Sequence, residues 1–94
     1  MANKVRIMIV DDTITYRQIL SNVVSILPNT ELVGTASSGK TAVMKFKSLK
    51  PHLVFLDVMM PEMDGIETLK ALKKINPNVQ VVMVSGFDMA NAKA

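Results

Sequence analysis

Four short apolar runs punctuate this chain, and the stretches between them carry apolar residues at helical spacing. Val5-Arg6-Ile7-Met8-Ile9-Val10 is mostly apolar and stops at Asp11-Asp12. Glu31-Leu32-Val33-Gly34-Thr35-Ala36 is a second, shorter run. Leu53-Val54-Phe55-Leu56 is a third, which runs straight into Asp57. Val79-Gln80-Val81-Val82-Met83-Val84 is a fourth and ends at Ser85-Gly86. Short continuous apolar runs bounded by turn residues predict strands buried on both faces. After the first run, Thr15 and Gln18 have the spacing of a helix capping box. Tyr16, Leu20, Val23 and Leu27 then give one apolar face, and Pro28-Asn29 stops that helix. A second helix is predicted over 39–50, with Ala42, Phe46 and Leu49 inward and Pro51 closing it. A third is capped by the pair Asp64 and Glu67, with Ile66, Leu69, Leu72 and Ile75 inward. Asn76-Pro77-Asn78 ends it, and 87–94 reads as the start of a fourth helix.

Strands that alternate with helices and are apolar almost throughout predict an α/β protein with a parallel sheet covered on both faces. Right-handed crossovers restrict this to a doubly wound sheet, ordered 2-1-3-4. In that order the first and third strands are neighbours at the switch point, where ligands bind in open α/β sheets. Asp11 and Asp12 lie at the carboxyl end of the first strand and Asp57 at that of the third. The fold therefore predicts three carboxylates in one crevice. Like charges this close raise each other's pKa unless compensated, and a hard divalent cation relieves the repulsion. Mg²⁺ suits such a site, because it takes a few carboxylates and keeps several waters. Ser85 ends the neighbouring fourth strand and adds a hydroxyl to the same rim. One of Asp11 and Asp12 can also open the first helix, but that role does not account for the whole set.

Composition narrows the choices. The 94 residues suit one domain, and 49% of them are hydrophobic, enough for a core. No cysteine is present, so neither disulfides nor thiolate metal sites arise. No apolar run reaches membrane-spanning length, and no signal-peptide pattern opens the chain, so the expectation is a soluble cytoplasmic protein. The net charge of +3 is mild, and the four aromatic residues are too few for a base-stacking surface. Direct nucleic-acid or membrane binding is not expected. The eight Met have mostly apolar neighbours, which fits gap-filling in the core. His52 precedes the third strand, away from the acidic rim, and reads as a solvated residue.

At this point the chain resembles a known family. Ile9-Val10-Asp11-Asp12, Leu56-Asp57 followed by Met60-Pro61 and Met63-Asp64-Gly65, and Val84-Ser85-Gly86 are similar to the receiver domain of two-component response regulators. The resemblance covers residues 1–94 in order. It is nearest to receivers of chemotaxis methylesterases and to stand-alone chemotaxis receivers. It implies a flavodoxin-like receiver fold and a Mg²⁺-dependent phosphoryl transfer from a sensor histidine kinase to Asp57. By the same resemblance Asp12 and Asp57 would hold Mg²⁺ directly, Asp11 would hold a metal-bound water, and the Met59 backbone carbonyl would be a third protein ligand. Ser85 and Gly86 would form the phosphoryl-binding switch. The protein would not be an enzyme beyond its own phosphorylation and dephosphorylation, and it would control an effector domain or target protein that these residues do not reveal. The chemistry fits, since a carboxylate can act as a phosphoryl acceptor and the transfer depends on positioning and charge neutralisation.

Two other readings compete. Gly34-Thr35-Ala36-Ser37-Ser38-Gly39-Lys40-Thr41 fits the nucleotide-binding pattern G-x-x-x-x-G-K-[ST]. Against it, the strand before Gly34 is short, only 17 positions separate Lys40 from Asp57, and Asp11, Asp12 and Ser85 stay unexplained. The other is a receiver-like binding module with no phosphorylation, which leaves three clustered carboxylates without a purpose. The family pattern also has a fifth strand ending in a lysine, then a fifth helix. This sequence stops nine residues past Ser85, so the fifth strand and its lysine are expected to be missing. An exposed fourth strand would then pair with another copy or exchange elements with it.

Overall fold

The first strand is apolar on both faces, and that property organises the molecule. The computed structural model describes residues 4–58 and 65–84. Expectations resting on Met59, Met60-Pro61, Asp64, Ser85, Gly86 and the helix over 87–94 lie outside the described residues. The elements run β1 (Val5–Val10), α1 (Ile14–Ile26), β2 (Thr30–Ala36), α2 (Gly39–Leu49), β3 (Leu53–Asp57), α3 (Gly65–Ile75) and β4 (Gln80–Val84). All pairings are parallel, in the order β2-β1-β3-β4. The doubly wound sheet expected from the sequence is the one found.

Side chains alternate across a strand, so β1 feeds two cores. Met8 and Val10 point to one face, where they join Ala36, Val54, Leu56 and Val79 under Ala42 and Phe46 of α2 and Leu72 of α3. Ile7 and Ile9 point to the other face and pack with Val24 of α1, beside Leu20, Leu53 and Phe55. Ile7, Met8, Ile9 and Val10 are all fully buried, which is why β1 lies inside the sheet. β2 carries a register shift opposite Ile7 and Met8, leaving Val33 as the extra residue of a bulge. Gly34 follows it, and a Cβ there would come within 2.6 Å of the Leu49 side chain.

Three local expectations are corrected. The capping pair Thr15–Gln18 does not form. α1 starts at Ile14 with Thr13 at its cap position and no side-chain capping bond there. Instead the Asp11 carboxylate accepts a hydrogen bond from the Thr13 N–H at 2.8 Å and starts the helix earlier. The buried side of α1 runs through Leu20 and Val24, while Val23 and Leu27 are exposed. Helical spacing allows a step of three or four, and contact with Ile7 and Ile9 decides for four. In α3, Gly65, Thr68 and Leu72 are buried and Leu69 is half-buried, whereas Ile66 and Ile75 are exposed. At 100° per residue, a step of nine places Ile66 and Ile75 on opposite sides of the helix, so one core cannot take both. The remaining element ends agree with the sequence reading within a residue.

His52 is exposed, as expected, but it is engaged. Its backbone N–H donates to the Arg6 carbonyl at 2.8 Å, and its ring Nδ1 accepts from the Arg6 N–H at 2.9 Å. This continues the β1–β3 pairing one step beyond Ile7 and Leu53.

Candidate functional site

Adjacent parallel strands end side by side, and here two of them end in acid. Val10 of β1 pairs with Leu56 of β3, so Asp11-Asp12 and Asp57 emerge together at the carboxyl edge. Ligand oxygens of Asp11, Asp12 and Asp57 all lie within 4.8 Å of one another, a spacing that can hold a metal ion. Asp11 and Asp57 are 1% and 5% exposed, and Asp12 is open to solvent. The sequence reading placed these three residues in one crevice, and the structure brings them together there.

The turn after β1 is held at several points. The Asp11 N–H donates to the Ala36 carbonyl at 3.0 Å, extending the β1–β2 pairing. Asp11 Oδ1 is taken by the Thr13 N–H, and the Asp11 carbonyl accepts from Arg17 Nη1 at 2.7 Å. Asp11 Oδ2 is buried and has no hydrogen-bond partner among the described residues. A buried, unpaired carboxylate oxygen is expensive, and a cation is the partner it fits. Burial pushes the Asp11 carboxyl above its ordinary value of 3.8; the Thr13 amide opposes this, the Asp12 charge adds to it, and Arg17 opposes it again.

Beyond Asp57 the backbone is held equally closely. Asp57 pairs with Val84, and the Val58 N–H donates to the Val84 carbonyl at 3.1 Å. Ser85 and Gly86 follow Val84 directly in sequence but lie outside the described residues, as does Met59. Gly65 opens α3 against this backbone, and a Cβ there would stand 2.5 Å from both the Asp57 carbonyl oxygen and the Val58 Cα. The sequence reading quoted Gly65 within the motif Met63-Asp64-Gly65. What it missed is a close approach to the residue at the centre of the site, which a glycine permits. Arg17 was also not singled out, because one basic residue on an otherwise polar helix face gives no local signal.

The nucleotide-binding alternative fails on geometry. Gly34, Thr35 and Ala36 belong to β2, and only Ser37 and Ser38 separate the strand from α2. Ser38 Oγ accepts from the Thr41 N–H at 3.1 Å and so occupies the helix start. No glycine-rich loop remains to wrap a phosphate chain.

Over residues 7–94 the chain matches the response regulator receiver domain family. It is 41% identical over 90 residues to a protein-glutamate methylesterase/protein-glutamine glutaminase of Nocardioides sp., covering 96% of this chain and 25% of that protein. It is 40% identical over 82 residues to the chemotaxis protein CheY of Thermotoga maritima, covering 87% of this chain and 68% of that protein. The chain thus spans about a quarter of the length of the methylesterase relatives. Among solved structures it is similar to the response regulator domain of Thermotoga maritima CheB, with a TM-score of 0.84 and 36% identity, over 92% of this chain and 63% of that one. It also resembles a chain of the CheX-CheY-BeF3-Mg+2 complex of Borrelia burgdorferi, with a TM-score of 0.81 and 30% identity, over 88% of this chain and 63% of that one. The match spans all four strands, including the two whose carboxyl ends carry the acidic cluster, and the chain belongs to the response regulator receiver domain family.

Proposed function

We propose that Asp57 is the phosphoacceptor of this receiver and that Asp11 and Asp12 complete a Mg²⁺ site around it. The observation that supports this best is the convergence of three carboxylates within 4.8 Å, with Asp11 Oδ2 buried and unpaired among the described residues. Such a donor set, hard and anionic, fits Mg²⁺. Asp12 and Asp57 would hold the ion directly, Asp11 would hold one of its waters, and the Met59 carbonyl would be the remaining protein ligand. Bound Mg²⁺ supplies neutralisation of the charge on an incoming phosphoryl group.

An oxygen of the Asp57 carboxylate attacks the phosphorus of a phosphohistidine on a sensor kinase. The new P–O bond forms as the P–N bond breaks, and the electron pair leaves on the histidine nitrogen. β3 holds the Asp57 backbone through its pairing with both β1 and β4, so the nucleophile is fixed before reaction. Asp57 is nearly buried, which limits competing water at the acyl phosphate. Ser85, one residue past the partner of Asp57, would hydrogen-bond the phosphoryl group, and with Gly86 it would relay the added charge as a loop shift. The chain catalyses only its own phosphorylation and dephosphorylation. The chemotaxis protein CheY of Thermotoga maritima is among its relatives, so the output is proposed to be an effector domain or target protein of a chemotaxis-type pathway in the cytoplasm. No described helix is long and apolar enough to cross a membrane.

The test is phosphorylation with acetyl phosphate and Mg²⁺, or with a cognate kinase. One acid-stable, base-labile phosphoryl group is expected, and Asp57→Asn should abolish it. Full labelling of that variant refutes the assignment. The 94-residue polypeptide is further proposed to self-associate through β4, the outer strand opposite β2 among the described residues, where Val82 is 42% exposed. A monodisperse monomer by light scattering at micromolar concentration would overturn that part.

A further inference from the structure

The turn that carries Asp11 and Asp12 is gripped from outside the acidic cluster. Asp11 has its N–H committed to Ala36 of β2, its Oδ1 to the Thr13 N–H and its carbonyl to Arg17 Nη1. Arg17 reaches back six residues from the first turn of α1, and its own N–H donates to the Thr13 carbonyl at 3.0 Å. Arg17 therefore ties the helix to the residue that directly follows β1. With three polar groups of Asp11 committed, Oδ2 is the one left for the pocket.

We propose that Arg17 is a positioning residue for the acidic pocket: by holding the Asp11 carbonyl it fixes the turn that presents Asp11 and Asp12 to Asp57. This rests on reading the pocket as a Mg²⁺ site. An arginine suits the task because its guanidinium stays charged and offers donors in a rigid planar fork. Loss of Arg17 has two consequences of opposite sign. Removing a positive charge near three carboxylates would tighten cation binding, whereas releasing the turn would weaken it. Arg17 holds the Asp11 backbone carbonyl at 2.7 Å, the point on which the turn depends, so the positional loss is expected to dominate. Groups that orient metal ligands from behind are typically worth about 10-fold or more in affinity.

The experiment compares this chain with Arg17→Met and Arg17→Lys. Met keeps the helix propensity and part of the side-chain volume but removes charge and donors; Lys keeps the charge and one donor group. MgCl₂ affinity is measured by calorimetry, and amide hydrogen exchange at Asp12 and Thr13 is measured in chelator. Arg17→Met should bind Mg²⁺ about 10-fold more weakly and exchange faster at Thr13, with Arg17→Lys between it and the parent. A purely structural Arg17 would instead lower the melting temperature and leave affinity and exchange unchanged, which overturns the proposal. Tighter Mg²⁺ binding by Arg17→Met also overturns it. If the parent chain takes up no Mg²⁺, the metal reading fails, and exchange at Thr13 decides this one: parental protection in Arg17→Met refutes it. Should Arg17→Met fail to fold by circular dichroism, Arg17→Gln is measured against the same criteria.

Discussion

Replacing Asp11 by Asn should stabilise the metal-free protein and weaken its response to Mg²⁺, two effects of opposite consequence from one change. Asp11 and Asp57 are both nearly buried, and their ligand oxygens lie within 4.8 Å. At an effective dielectric of about 20, two unit charges at that separation repel by about 3 kcal/mol. Asn retains an oxygen to accept from the Thr13 N–H, so the turn is kept, and its amide can donate toward the neighbouring carboxylates in place of the unpaired Oδ2. The net gain expected at pH 7 is about 1–3 kcal/mol, or about 4–8 °C of melting temperature per kcal/mol for a domain of this size. The parent should gain stability on adding Mg²⁺, about 2.7 kcal/mol at a hundredfold excess over its Kd, and the variant markedly less. The pH dependence has a definite sign. The folded-state pKa of Asp11 is raised by burial, so the native state binds the proton more tightly than the unfolded chain. In chelator, the destabilisation due to Asp11 is therefore full above the folded value and fades as pH falls through it toward 3.8 and below. The advantage of Asp11→Asn should shrink over the same interval. Urea denaturation with and without Mg²⁺, repeated at several pH values, reads all of this. A variant less stable than its parent in chelator at pH 7, or equal stabilisation of both by Mg²⁺, would refute the reasoning.

Other expectations follow from particular contacts. Gly65→Ala places a Cβ 2.5 Å from backbone atoms of Asp57 and Val58, so it should destabilise by about 1–3 kcal/mol in urea denaturation and slow labelling by acetyl phosphate. Leu72→Ala empties a fully buried site between α3 and the sheet and should cost about 2–5 kcal/mol in the same assay, without changing Mg²⁺ affinity per folded molecule. Asp12→Ala should weaken Mg²⁺ binding in calorimetry, because an exposed carboxylate of the cluster is lost while the core is untouched. Titration with ATP and Mg²⁺ should show no micromolar binding that depends on Lys40, since the residues around it form a strand end and a self-capped helix start.

The sequence by itself determined the architecture. Apolar runs too continuous for a one-sided sheet demanded cover on both faces, and β1, with Ile7 and Ile9 on one side and Met8 and Val10 on the other, is that demand met. It also determined which acids would meet, because strand order and strand ends suffice to bring Asp11, Asp12 and Asp57 to one edge. What only the tertiary structure decided is narrower and depends on contact. Periodicity pointed to Val23 on the buried face of α1, and packing against Ile7 and Ile9 chose Val24 instead. A regular step of three suggested an inward Ile66 and Ile75, but a helix turns through half a circle between them. The capping signal at Thr15 and Gln18 was sound local chemistry that lost to Asp11, whose carboxylate was already placed by β1 to take the Thr13 N–H. Arg17 and Gly65 carry no motif of their own. Their importance lies in what they approach, a carbonyl six residues back and a backbone eight residues back, and such proximities exist only once the chain has closed around the sheet.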